Sequence, residues 1–178
     1  MDRAALHEAA LAYLARRPAT VQSMRRALQQ RARKKGVSLE DIGETIDDVV
    51  RRLVEVGLVD DRAFAASRVK RLERSGRSSR AIAAHLAAKG VSSDIARDAL
   101  STRERDGDAE LDAALVLAKK RRIGPFARES ETRVDDPIAR RKELGIFARA
   151  GFDRAVAERA LRLDRAEADE RLGARRSL

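Results

Sequence analysis

Apolar side chains recur at three- and four-residue steps along most of the chain, most regularly at Leu39, Ile42, Ile46, Val49, Val50 and Leu53. That period puts them on one face of a helix. The pattern stops at Glu55-Val56-Gly57, where the glycine can adopt the left-handed conformation that closes a helix and Leu58 is placed to fold back onto the last turn. Asp60 or Asp61 then stands where the next helix needs a cap.

The same reading predicts helices over 3–16, stopped ahead of Pro18, and over 21–35, capped by Thr20 and ended by Gly36. With the Leu39 helix they form one triplet. A second triplet covers 62–74, 79–89 and 94–102, and a third covers 108–121, 137–150 and 154–163, with Asp136 ahead of Pro137 at a first helical position. The step from the middle to the last helix repeats as Gly36-Val37-Ser38, Gly90-Val91-Ser92 and Gly151-Phe152-Asp153. In the last two copies Leu86 or Phe147 precedes the glycine by four positions, and Ile95 and Leu100, or Val156 and Leu161, follow it by five and ten. The first copy departs through a longer second helix.

The expected fold is therefore all-α: three tandem three-helix repeats, each helix-turn-helix-like, forming an elongated, curved array because no unit buries its apolar stripe alone. The repeats are expected at 1–58, 59–104 and 105–165, with a loop at 123–135 and a charged tail over 166–178 that lacks a sustained stripe and is frayed in its last residues.

Composition narrows the function. Hydrophobic residues make up 43% of the 178, enough for a folded core, but they are mostly Ala, Leu and Val, with four Phe, one Tyr and no Trp. The chain has no cysteine, which removes disulfides, thiolate metal sites and thiol nucleophiles. Only His7 and His85 remain as imidazoles, and they stand apart; His85, beside Leu86, reads as a half-buried polar residue. No run approaches the roughly 18 apolar residues of a membrane span, and the first positions lack a signal peptide's apolar core. A soluble, cytoplasmic protein is expected, with no membrane partner, no small-molecule substrate, no cofactor and no metal.

Charge is uneven. The net charge of +10 favours an anionic partner, since phosphate contacts release condensed counterions. Between Ala9 and Leu39 there is no acidic residue, while Arg16, Arg17, Arg25, Arg26, Arg31, Arg33, Lys34 and Lys35 fall in that window. Between 61 and 89 only Asp61 and Glu73 oppose Arg62, Arg68, Lys70, Arg71, Arg74, Arg77, Arg80 and Lys89. Lys119, Lys120, Arg121 and Arg122 form a third cluster. Each cluster taken alone can be a solvated helix face; their recurrence in three units argues for binding. Aromatic residues do not interleave with these cations, so a base-stacking platform is not expected, and no helix carries an Asn, Gln and Arg set for reading base edges.

Catalytic chemistry finds no support. Asp60 and Asp61 are adjacent carboxylates, but at a helix start such pairs cap backbone amides and complement the dipole, and the same reading applies to Asp47-Asp48 and Asp135-Asp136. No phosphate-binding glycine loop, no His-carboxylate metal spacing and no Ser-His-Asp set occurs. The chain reads as a binding protein and not an enzyme.

These residues also resemble a family. Leu53-x-Glu55-x-Gly57-Leu58-Val59-Asp60-Asp61-x-x-Phe64-Ala65 is similar to the junction between the first and second units of the RecX family, regulators of the RecA recombinase. Ala10-x-x-Tyr13-Leu14-x-x-Arg17 with Thr20 resembles its opening helix, and Ile82-x-x-x-Leu86-x-x-Lys89-Gly90-Val91 its middle helix and turn. The resemblance covers about 5–163, more loosely in the third unit. It implies a stack of three-helix units that binds the RecA filament on single-stranded DNA and restrains ATP hydrolysis, strand exchange and co-protease activity, within DNA repair, homologous recombination and the SOS response. It also covers members that stimulate recombination or bind DNA alone, so binding to single-stranded or double-stranded DNA without RecA is the alternative. No catalytic residue carries over. The contact candidates are the basic residues named above other than Arg31, Arg62 and Lys89, and Gly36, Leu53, Gly57, Asp60, Asp61, Phe64, Gly90 and Gly151 are the structural motif.

Overall fold

The computed structural model describes residues 2–104, 108–127 and 136–174, with the side chains of 102–104 left aside. Among these residues the chain is all-helical: α1 (Arg3–Leu14), α2 (Val21–Lys34), α3 (Leu39–Glu55), α4 (Asp61–Arg74), α5 (Ser79–Ala88), α6 (Ser93–Glu104), α7 (Ala109–Arg121), a 3-10 turn (Gly124–Phe126), α8 (Pro137–Arg149), α9 (Arg154–Arg162) and α10 (Arg165–Ala174). The helices α1 to α9 follow the three expected triplets.

Short polar side chains set the starts. Ser38 Oγ accepts from the Glu40 amide, Asp136 Oδ1 from Ile138 and Asp153 Oδ1 from Ala155, each filling one of the orphan donors of a helix N-terminus. Asp60 Oδ1 accepts from both Arg62 and Ala63, at 2.8 and 3.0 Å, so Asp60 is the cap of α4. Its neighbour Asp61 reaches elsewhere. The acidic pair inside α3 is not a cap at all: Asp47 and Asp48 pair with Arg25 and Arg51 at 2.7 Å, because mid-helix amides are already bonded within the helix and a carboxylate there can only find a cation. Asp135 lies outside the described residues.

After α3, the Leu58 amide donates to the Leu53 carbonyl at 2.9 Å, closing the turn through Gly57. The side chain that returns to the core is not Leu58, however. Leu58 is 51% exposed and Val59 is 1% exposed, packed with Leu53 and Val50. Successive side chains in an extended connection point opposite ways, so only one of the two can face inward.

Thr20 and Ser78 are the buried polar side chains among the described residues, both fully buried, and both build the same joint. Thr20 Oγ1 accepts from the Ser23 amide as the cap of α2 and donates to the Lys89 carbonyl at 2.6 Å. Ser78 Oγ accepts from the Ala81 amide ahead of α5 and donates to the Ala150 carbonyl at 2.7 Å. Each acceptor immediately precedes a left-handed glycine that ends the second helix of the following repeat, Gly90 (φ +79°) and Gly151 (φ +85°). A Cβ on Gly90 would lie 2.4 Å from Gln22 Cβ, and one on Gly151 would lie 2.8 Å from Ser78 Oγ. These glycines therefore serve a turn and a close approach together.

A carboxylate from the next repeat completes each joint. Asp61 Oδ1 accepts from the Val21 amide at 2.8 Å, and Glu110 accepts from the Ser79 amide and hydroxyl, the latter at 2.8 Å. Both acids stand at the positive end of the helix they cap. The chain divides into two compact units, Met1–Ser67 with Leu86–Arg97 and Arg68–His85 with Asp98–Leu178, so the division runs through α4, α5 and α6 and each unit holds one joint.

Inside the first unit, Leu6, Met24, Leu28, Ile46 and Leu53 form the core. The second is built on Leu115, Phe126, Phe147, Phe152 and Leu161, with Phe147 and Phe152 edge to face at 5.9 Å. Most of the expected charged tail is helical, and its last residues, 175–178, lie outside the described ones. Residues 165–174 form α10, which buries Ala168 and Leu172 in that core. Two apolar residues four positions apart are too few for a convincing stripe, but ion pairs add to them: Arg171 binds Asp108 at 2.8 Å and Asp112 at 2.9 Å, and Lys119 binds Asp169 at 2.6 Å. Within the expected loop, Phe126 is buried on the 3-10 turn; 128–135 lie outside the described residues.

Candidate nucleic-acid interface

The acid-free window folds into α1, the turn behind it and α2. Tyr13, Arg16, Arg17 and Arg31 meet there around a cleft of about 180 Å³ walled by Ala9, Ala12, Ala27 and Leu28, with no acidic side chain among the lining. The Arg17 guanidinium lies 4.7 Å from the Tyr13 ring centroid, a cation–π contact that holds the charge at the cleft. An aromatic ring thus does stand among the cations, against the expectation from the linear sequence. Phe126 does the same in the third repeat, with Lys119 at 5.3 Å and Arg165 at 5.0 Å. Tyr13 and Arg17 are four residues apart, a spacing that could have shown the first contact; the second brings Arg165 of α10 to a ring far from it in sequence, and only folding reveals it.

The remaining cations of the first repeat divide by what they touch. Arg25 pairs with Asp47 in a contact more than a third exposed, and Arg26 reaches the Ala88 carbonyl at 3.5 Å. Arg33, Lys34 and Lys35 are exposed at the end of α2, where they also complement the helix dipole. Among the middle group, Arg68 is half-buried while Lys70, Arg71, Arg74, Arg77 and Arg80 are exposed. Lys70 and Arg74 stand one turn apart on α4, and Arg80 backs the Gly151 joint, 3.5 Å from where a Cβ would be.

All four cations of the third cluster are exposed, but its two lysines have partners within the protein. Lys119 is bound to Asp169, and Lys120 donates to the Ser75 carbonyl at 2.7 Å at the end of α4. Arg121 ends α7, and Arg122 adopts a left-handed conformation with φ +55° that closes it. The Arg171 and Arg159 guanidinium groups hold the Asp108 carboxyl below the ordinary aspartate range, and Lys119 and Arg165 do the same for Asp169. Lys119, Arg159, Arg165 and Arg171 thus pair with acids of the same compact unit.

The motif residues fall where a repeat needs them. Gly36, Gly57, Gly90 and Gly151 are all left-handed, Leu53 is fully buried, Phe64 is 7% exposed, and Asp60 and Asp61 cap α4 and α2 respectively. His85 is half-buried. Among the described residues no group of three or more His, Asp or Glu side chains could hold a metal ion, and no helix is long and apolar enough to cross a membrane. The charge pattern passed over Thr20, Ser78, Gln22 and Glu110, although Thr20-x-Gln22 and Ser78-x-Arg80 present the same polar spacing at the start of two second helices.

Tandem three-helix units joined by buried hydroxyls and faced with arginine define a helical-repeat protein, a class that works through extended surfaces. Residues 60–100 match the family profile for the second three-helix domain of RecX. The regulatory protein RecX of Myxococcus xanthus is 33% identical over 160 residues, covering 88% of this chain and 83% of that protein. Its counterpart in Agrobacterium fabrum is 32% identical over 169 residues, covering 90% and 84%. The crystal structure of RecX from Lactobacillus salivarius shares the fold with a TM-score of 0.69 at 20% identity, covering 94% of this chain and 96% of that one. The chain belongs to the RecX family of regulatory proteins.

Proposed function

We propose that this protein binds the RecA filament on single-stranded DNA and restrains its ATP hydrolysis, strand exchange and co-protease activity in the cytoplasm. Family membership across most of the chain is the observation that carries this reading. The basic helices support it, because a filament of protein on DNA offers both acidic side chains and phosphates to a cationic surface. The candidate contacts are Arg16, Arg17 and Arg31 at the first cleft and Lys70, Arg71, Arg74 and Arg77 on and after α4. The working repeats are 1–58, 59–104 and 105–165, and the protein acts by occupancy without catalysing a reaction of its own.

RecA ATPase on single-stranded DNA, measured with and without this protein, tests the proposal. A fall in rate that saturates with protein is expected; no change at a several-fold excess over filament ends refutes it. A second reading, DNA binding without RecA, is favoured by the acid-free cleft around Tyr13. Gel-shift affinity that falls steeply with the logarithm of salt concentration in the absence of RecA would support that second reading.

A further inference from the structure

The third repeat carries a groove that the basic windows do not include. A cavity of about 560 Å³, open to solvent, lies between α8 and α9; its floor is Leu144, Gly145, Ala148, Phe152 and Ala157. Arg140, Arg141 and Arg154 stand at its rim, Pro137 closes one end, and no acidic side chain lines it. Ile138, 67% exposed and the most exposed of the large apolar residues described, stands one and two helical turns from Arg141 and Gly145 along the same edge. A Cβ on Gly145 would meet only the far end of Arg149, so the packing of the protein does not require a glycine inside α8; its smallness leaves the groove open.

We infer that this groove docks an acidic, amphipathic segment of a protein partner, its apolar side chains on the Leu144–Ala148 floor and its carboxylates on the arginine rim. The floor argues against nucleic acid as occupant, because its one ring, Phe152, is 6% exposed and offers no face for a base to stack on, and a sugar-phosphate chain gains nothing from aliphatic surface, whereas an amphipathic peptide uses both the floor and the rim. Guanidinium forks favour carboxylates, and one pairing of this kind is already present: Arg154 holds Glu158 at 2.8 Å beside the groove. The inference does not depend on the filament reading, since it uses none of the residues assigned to it.

The probe is a fluorescein-labelled synthetic peptide of about 16 residues, one turn in each helical period leucine and the rest mostly glutamate. Two controls carry the same length, oligoglutamate and oligodeoxythymidylate. Fluorescence anisotropy against the full chain should show the amphipathic peptide binding at least tenfold tighter than oligoglutamate. Ala148→Trp, at an exposed position, fills the groove while keeping its charge, and Arg140→Ser with Arg141→Ser removes charge while keeping the floor. Each should weaken peptide binding about tenfold with circular dichroism unchanged, and Arg16→Ser with Arg17→Ser should leave it intact. Equal binding of oligoglutamate or oligodeoxythymidylate, indifference to Ala148→Trp, or a dimer that Ala148→Trp dissociates would each overturn the inference.

Discussion

At the scale of single residues, the two joints make sharp demands. Thr20→Val keeps the shape of the side chain but removes the hydroxyl to which the Ser23 amide donates and which bonds the Lys89 carbonyl at 2.6 Å, leaving that carbonyl only the longer 3.3 Å bond from Ser23 Oγ. The expected loss is about 1–3 kcal/mol, read from urea unfolding, and Ser78→Ala should cost a similar amount. The glycines give a contrast. Gly36 (φ +71°) has open space where a Cβ would go, so Gly36→Ala pays only for the left-handed backbone, about 1–2 kcal/mol. Gly90→Ala adds a clash with Gln22 Cβ at 2.4 Å and should cost about 1–3 kcal/mol more. Equal losses for the two variants would mean that the close approach is unimportant.

At the scale of elements, α10 shows how ion pairs and a small apolar contact share the work. Leu172 is 9% exposed, and Leu172→Ala should destabilise the second unit by about 2 kcal/mol in chemical denaturation. The carboxyls of Asp108 and Asp169 are depressed by their arginine and lysine partners, so the folded state binds protons less readily than the unfolded chain. Their contribution is complete above the unfolded aspartate pKa, near pH 4, and is lost as pH falls through the lower folded values. Thermal melts should be flat for this term between about pH 5 and 8 and decline below about pH 4, and Arg171→Met should flatten that acid limb. Both carboxylates are more than a third exposed, so added salt should weaken the same term.

At the scale of the whole molecule, the prediction concerns charge. Replacing Arg16, Arg17 and Arg31 together by serine should weaken binding to RecA-coated single-stranded DNA and make the remaining binding less steep in salt, as fewer counterions are displaced; titration at several salt concentrations checks both. The same substitution at Lys119 and Lys120 should act on stability before binding, because those cations already hold Asp169 and the Ser75 carbonyl. The sequence by itself determined the helices, their caps and the threefold repeat, since periodicity and capping act between residues a few positions apart. It also marked the basic windows and the Gly57 to Ala65 junction, because these are runs of adjacent residues. Only the tertiary structure decided that Asp61 caps α2 rather than its own helix, that Thr20 and Ser78 are joints, that Val59 and not Leu58 is inside, that α10 is a packed helix, and that two of the clustered lysines are turned to internal partners. Those outcomes depend on which atoms meet across dozens of residues, and burial and pairing, unlike periodicity, are set by what lies opposite.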